Sequence, residues 1–143
     1  MAAPSVEELN RWITGFDELY GLRLVAHSEE EVQAQVEVTE HHRQPAGLVH
    51  GGLFAAIAES TASLATALAV MDDGATAVGL SNNTSFMRPI TEGTVHARAR
   101  RRHRGRTTWL WDVEISDDEG RLCALTRMTI AVRPTAGADG PGR

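Results

Sequence analysis

A single cysteine, Cys123, rules out an internal disulfide, and nothing else in the 143 residues demands an oxidising compartment. The opening MAAPSVEELNRW has no basic stretch leading into an apolar core, so it does not read as a secretory signal. The expected compartment is the cytoplasm. Metal-ligand spacing is missing too: His41, His42 and His50 fit no strong zinc pattern and have no cysteine beside them, so no metal is expected. Long, mainly apolar runs are absent except at residues 49–70. That run reaches bilayer length but holds a carboxylate, a histidine, two glycines and four hydroxyl side chains. It is expected to be a buried helix of a soluble domain and not a membrane span.

What is present is ordinary for a globular chain, with 42% apolar and 23% charged residues. The length suits one domain able to bury roughly two-thirds of the surface its unfolded form exposes. We place that domain at residues 1–134 and expect a mobile tail, TAGADGPGR, at 135–143. In VEELNRWITGFDELYG, residues 6–21, Val6, Leu9, Ile13, Phe16 and Tyr20 recur at helical spacing, which predicts one short amphipathic helix ending at Gly21. EVQAQVEVT, residues 31–39, alternates as a half-buried strand, with LRLVA at 22–26 as its hairpin partner. The alanine-rich run 51–70 favours a helix, stopped at Gly74. Four strands follow at 77–87, 94–103, 107–116 and 121–133, joined by the short turns PITEG, RGR and DDEG, so consecutive strands are expected to pair antiparallel. A nearly apolar helix needs a sheet curled around it, which predicts an α+β domain with a wrapped antiparallel sheet.

Glu59 is the one acid of that helix. It either marks a face reaching the surface or is a reactive group. Ser63 shares its face four residues on, beside Ala55, Ala56 and Ala62, whose small side chains leave a recess. The helix opens with His50-Gly51-Gly52, whose glycines let another group approach free N–H groups able to polarise a carbonyl oxygen. Gln44 precedes them in a loop bounded by proline and glycine and offers an amide donor. Gly51 and Glu59 lie eight residues apart, about 12 Å along the helix axis. One acyl carbon cannot meet both, so a shared bond requires Glu59 from a second copy, and a homodimer with two composite sites is predicted.

Gln44, His50-Gly51-Gly52 and Glu59-Ser60-Thr61-Ala62-Ser63, followed by SNNTSFMRPITEG and RGRTTWLWDVEISDDEGRLCALTRMTIAVRP, resemble the hotdog-fold acyl-CoA thioesterases of the phenylacetate-degradation type over roughly residues 32–134. The likeness is strongest to the 4-hydroxybenzoyl-CoA thioesterases with a helical glutamate, and extends to the 1,4-dihydroxy-2-naphthoyl-CoA thioesterases. It implies a hotdog fold and hydrolysis of an acyl-CoA thioester with an aromatic acyl group such as 4-hydroxybenzoyl, 1,4-dihydroxy-2-naphthoyl or a phenylacetyl-like one. Glu59 would be nucleophile or general base, the Gly51 N–H with Gln44 would polarise the carbonyl, Ser63 would orient water or the carboxylate, and His50 would sit near the sulfur or the loop. It also implies a homotetramer built from dimers, and no cofactor beyond the coenzyme A of the substrate. Two other functions fit the same features: a hotdog dehydratase acting on 3-hydroxyacyl thioesters, which also uses a histidine and a helical acid, and a non-catalytic acyl-CoA binding module.

RARRRHRGR, residues 98–106, holds six of the 14 basic residues. A net charge of −5 and the lack of interleaved aromatics argue against nucleic acid. A solvated strand face is one reading of the run; coenzyme A phosphates are another, with Arg88, Arg104, Arg106 and the Thr107 hydroxyl as candidates. Asn82, Asn83 and Thr84 interrupt an apolar strand and either hydrogen-bond across an edge or face substrate, Asn83 being the substrate-binding candidate. Trp109, Trp111 and Cys123 are expected in the core.

Overall fold

A computed structural model describes residues 2–135. The proposed tail beyond that point lies outside the described residues. Two short helices, α1 (Val6–Arg11) and α2 (Gly15–Tyr20), precede strands β1 (Arg23–His27) and β2 (Glu31–Glu37); helix α3 (Gly51–Val70) follows, and then β3 (Ala75–Phe86), β4 (Thr94–Arg104), β5 (Thr108–Ser116) and β6 (Leu122–Pro134). All six strands form one antiparallel sheet in the order β1-β2-β4-β5-β6-β3, with α3 packed across it. This is the hotdog architecture expected from the sequence.

Alanine explains how the helix lies close to the sheet. Ala58, Ala62 and Ala65 sit on its buried side among Leu53, Phe54, Ile57, Thr61, Thr66 and Val70. Opposite them the alternating residues of the strands point inward: Val95, Ala97 and Ala99, then Trp109, Trp111, Val113 and Ile115, then Ala124, Met128 and Ile130, all buried together with Cys123. At about 25 cal/mol per Å² and roughly 200 Å² per ring, each buried tryptophan contributes on the order of 5 kcal/mol. Trp111 also donates its Nε1–H to Thr66 Oγ1 at 2.9 Å, and that hydroxyl donates to the Ala62 carbonyl at 2.9 Å, so both buried polar groups are satisfied.

Two expectations need correction. The predicted N-terminal helix is broken at Trp12–Thr14. Ser5 and Glu8 form a capping box on α1, and the Asn10 amide then pairs with the backbone of Leu24 in both directions, at 2.9 and 2.8 Å. That pairing ties α1 to β1, and the chain turns at Gly15, φ +64°, the first residue of α2. Of the proposed apolar face only Leu9 and Tyr20 are fully buried; Trp12, Phe16 and Leu19 are exposed. The second correction concerns pairing: β3 does not pair with β4. The tight turns at residues 105–107 and 117–121 make β4, β5 and β6 a meander and β2 takes the other side of β4, so both sides of β4 are occupied and β3 pairs with the outer side of β6. β3 itself becomes an edge strand of 12 residues.

Candidate active site

The loop entering α3 is pinned by its own backbone. Gln44 N–H donates to the Leu48 carbonyl at 2.7 Å, Val49 N–H to Ile90 at 2.8 Å and His50 N–H to His42 at 2.8 Å. The Gln44 side-chain oxygen accepts from Ala46 N–H, which leaves its NH2 end as the free donor expected from the sequence. His42, which sequence reasoning weighed only as a metal ligand, joins the elements: its Nε2 meets the Tyr20 carbonyl at the end of α2 at 2.8 Å, and its Nδ1 accepts from Thr39 N–H at 2.9 Å.

The two glycines at the helix start have separate reasons. His50 is the N-cap, and its Nδ1 accepts from Gly52 N–H at 2.7 Å. A Cβ at Gly52 would stand 2.8 Å from that nitrogen, so glycine makes room for the chain's own imidazole. The Gly52 N–H is therefore taken, contrary to the expectation that both were free. The cap also fixes the tautomer, with hydrogen on Nε2. The Gly51 N–H has no hydrogen-bond acceptor among the described residues. Its α-carbon is covered instead by Phe86: a Cβ there would lie 2.7 Å from the ring Cε1 and 3.0 Å from Cζ.

Glu59 is exposed in the single chain, so it marks the open face of α3 and not a buried point. It lies above β3, its Oε1 3.6 Å from where a Cβ of Gly79 would stand. Further along, Asn82 Nδ2 donates to the Ala55 carbonyl at 2.9 Å, and Phe86 reaches Gly51. β3 thus runs beside α3 in the opposite direction, from the Glu59 level to the helix start. Between Gly79 and Ser81 the pairing with β6 skips Leu80, a bulge that changes the strand's parity. The bulge is why Gly79, Asn82, Thr84 and Phe86 all face the helix. Ser63 is half-buried one turn beyond Glu59. On the other flank of α3, Asp17 Oδ1 accepts from Ser60 Oγ at 2.6 Å and from the Tyr20 hydroxyl at 2.9 Å. Burial pushes the Tyr20 phenol well above its ordinary range, with the charges of Asp17 and Glu59 adding to the effect. That cluster anchors α2 beside the glutamate.

Other candidates are not brought to Gly51 within one chain. Asn83 points to the sheet face away from α3, opposite to Asn82 and Thr84. Arg88 follows β3 at the helix-start end, its N–H donating to the Cys123 carbonyl at 3.0 Å. Arg104, Arg106 and Thr107 lie at the other end of α3: Arg104 packs 4.8 Å above the Trp109 ring and lines a cavity of about 560 Å³ with Ala69 and Met71, and the Thr107 carbonyl accepts from Arg133 at 3.1 Å. Most of the basic run forms a charged outer face, with Arg98 on Glu31 at 2.9 Å and Arg102 near Asp112 at 3.4 Å.

Residues 46–124 match the family described as the thioesterase superfamily. Among solved structures, a variant of thioesterase PA1618 from Pseudomonas aeruginosa superposes with a TM-score of 0.87 at 36% identity, covering 93% of this chain and 96% of that one. Thioesterase HI1161 from Haemophilus influenzae gives a TM-score of 0.90 at 32% identity, covering 96% of both chains. A 1,4-dihydroxy-2-naphthoyl-CoA hydrolase of Listeria monocytogenes is 34% identical over 83% of this chain and 96% of its own length.

Proposed function

The chain belongs to the thioesterase superfamily and is a thioester hydrolase, and on that premise we propose that it cleaves an aromatic acyl-CoA in a site shared by two copies of itself. One observation carries the proposal: Gly51, whose N–H has no acceptor among the described residues, and Glu59 sit about two turns apart on one helix, while the strand that spans the distance between them, paired with β6 on one side, leaves its outer side without a partner. An antiparallel pairing of β3 with its own copy about Asn83 supplies the missing proximity. Phe86 is three residues from Asn83, and Gly79 is also three once the bulged Leu80 is skipped. That register sets Phe86 opposite Gly79 of the second copy, and so places Gly51 of one copy beside Glu59 of the other. A long edge strand carrying exposed Val78, Leu80 and Phe86 is itself a surface that needs covering.

In this site the thioester carbonyl accepts from Gly51 N–H and the Gln44 amide, donors preorganised for the developing oxyanion and worth about 3 kcal/mol each to the transition state. Glu59 of the second copy then either attacks the carbonyl carbon, giving a mixed anhydride that water hydrolyses, or removes a proton from the attacking water, with Ser63 orienting it. Both routes expel coenzyme A thiolate, and the His50 Nε2–H is a donor available to it. The antiparallel arrangement carries Arg104, Arg106 and Thr107 of one copy toward the end where the other holds Arg88, a cationic patch suited to coenzyme A phosphates. The aromatic acyl class is supported by the likeness to the naphthoyl-CoA hydrolase. Pairing of two such dimers gives the tetramer, and sedimentation distinguishes masses of two and four chains.

The test is thiol release from 4-hydroxybenzoyl-, 1,4-dihydroxy-2-naphthoyl-, phenylacetyl- and hexanoyl-CoA. Glu59→Ala should abolish it without lowering the melting temperature; full activity in that variant ends the proposed role. Mixing Glu59→Ala chains with Gly51→Ala chains, each impaired alone, should restore about a quarter of wild-type activity, since half of the randomly assorted dimers keep one sound site of two. No gain on mixing places both groups in one chain.

A further inference from the structure

We propose that Phe86 is the specificity-determining wall of the acyl pocket and selects a planar, conjugated acyl group over a flexible alkyl chain. The proposal deepens the shared-site reading and rests on it. Phe86 ends β3 with its ring against Gly51, and behind it Phe54 closes the stack, the two ring centroids 6.4 Å apart with planes tilted by 34°. Phe54 is buried, whereas Phe86 keeps 58% of its surface exposed. An aromatic ring held from behind and open in front is a preformed stacking platform.

Its position decides what it touches. The carbonyl accepted by Gly51 N–H lies within a few ångströms of the ring, because the ring already contacts the Gly51 α-carbon region. The helix-facing row of β3 offers little competing polarity. Asn82 is occupied by the Ala55 carbonyl, and the Thr84 hydroxyl by Asn82 Oδ1 at 2.7 Å and Thr126 Oγ1 at 2.8 Å. Phe86 is the apolar member of that row and the one next to the carbonyl donor. In the paired arrangement it also faces the turn bearing Glu59 of the second copy, so the space in front of it is roofed by the two helices, while the arginines draw the coenzyme A moiety toward the open end. A group attached to the carbonyl on the enclosed side must pass over the ring. A carbonyl-conjugated aryl group does so flat, with no rotor to freeze.

The experiment compares wild type with Phe86→Ala, Phe86→Leu and Phe86→Tyr on benzoyl-CoA and hexanoyl-CoA. Stacking of this kind predicts that Phe86→Ala and Phe86→Leu lower kcat/KM for the aryl ester about five- to tenfold relative to the alkyl ester, and that Phe86→Tyr retains the preference. Equal losses on both esters, or none on either, overturn the proposal, and the leucine and tyrosine variants carry the comparison if the alanine variant does not fold. Binding is read separately with two thioethers of coenzyme A that cannot be hydrolysed, one bearing a phenacyl and one a 2-oxoheptyl group. The ratio of their Kd values should shift in the same variants by the same factor. If wild type releases thiol from no ester, the catalytic reading fails, while the Kd ratio still decides for or against the stacking wall.

Discussion

Replacing Gly51 with alanine brings two opposed effects into one residue. Alanine in place of glycine favours the helix, by up to about 1 kcal/mol in an interior position and less at this first one. Against it stands contact: the new methyl would lie 2.7, 3.0 and 3.2 Å from three atoms of the Phe86 ring, all inside normal van der Waals distance. The ring is partly exposed and can swing away, but only by giving up Gly51 and its tilted packing on Phe54. Overpacking of this type costs typically 1–3 kcal/mol, so a net loss of about 1–2 kcal/mol is expected, equivalent to roughly 3–8 °C in Tm for a chain of this size. Thiol release should fall as well, because the displaced ring enters the space in front of the Gly51 N–H. The decisive comparison is a double-mutant cycle by urea unfolding. In a Phe86→Ala background the methyl has room, so Gly51→Ala should become neutral or slightly stabilising, with a coupling of at least about 1 kcal/mol between the two sites. If Gly51→Ala costs the same in both backgrounds, the aromatic contact is not the reason for glycine at this position.

Other outcomes follow from the same geometry. Gly52→Ala evicts the His50 imidazole from its cap; the lost cap, about 1 kcal/mol, is largely offset by alanine's helix preference, so Tm should hold while kcat falls, and a Tm loss beyond a few degrees contradicts this account of the cap. Glu31 accepts from Arg98 at 2.9 Å and Gln33 at 2.8 Å, and the Arg98 hydrogen bond holds its carboxyl below the ordinary value of 4.5. A depressed carboxyl contributes stability that is complete above its unfolded value and is lost as pH falls through the folded one. Glu31→Gln should therefore lower Tm at pH 7, and the loss should shrink as pH falls through the folded value; a loss that does not change with pH would remove the ion pair as cause. The Glu59→Ala and mixed-chain experiments, and the Phe86 ester series, complete the set.

The strand alternations and the tryptophan core were legible because each is a local period, and helix α3 because its alanine-rich run with few β-branched residues marks it by composition. The catalytic candidates at Gln44, His50, Gly51 and Glu59 were legible for a related reason: they are clustered within 16 residues and stand out against loop or apolar surroundings. Phe86 was not, since its contact with Gly51 joins residues 35 apart and depends on a bulge at Leu80 that no sequence period announces. The Asp17, Ser60 and Tyr20 cluster was missed for the opposite reason. Its members sit where a helical period already accounts for them, and only the break at Trp12–Thr14 turns Asp17 toward Ser60. The pairing of β3 was misread because adjacency along the chain was taken for adjacency in the sheet, whereas β2 and β5 occupy both sides of β4.

The sheet order bears on how the chain can be made. β3 is the third strand to leave a ribosome, but its partner β6 is the last, with paired residues between 38 and 59 positions apart. Until Leu122–Pro134 has been synthesised, β3 has no ladder to join, and the flank of α3 that it covers stays open. Contacts closed across such loops form late and slowly, because loop-closure entropy precedes any gain. During translation the nascent domain therefore passes through a species with α3 poorly covered and β3 unpaired. Such a species is a natural client for a chaperone and is exposed to aggregation. The strand that would join two finished copies is the one whose place in each copy is settled last.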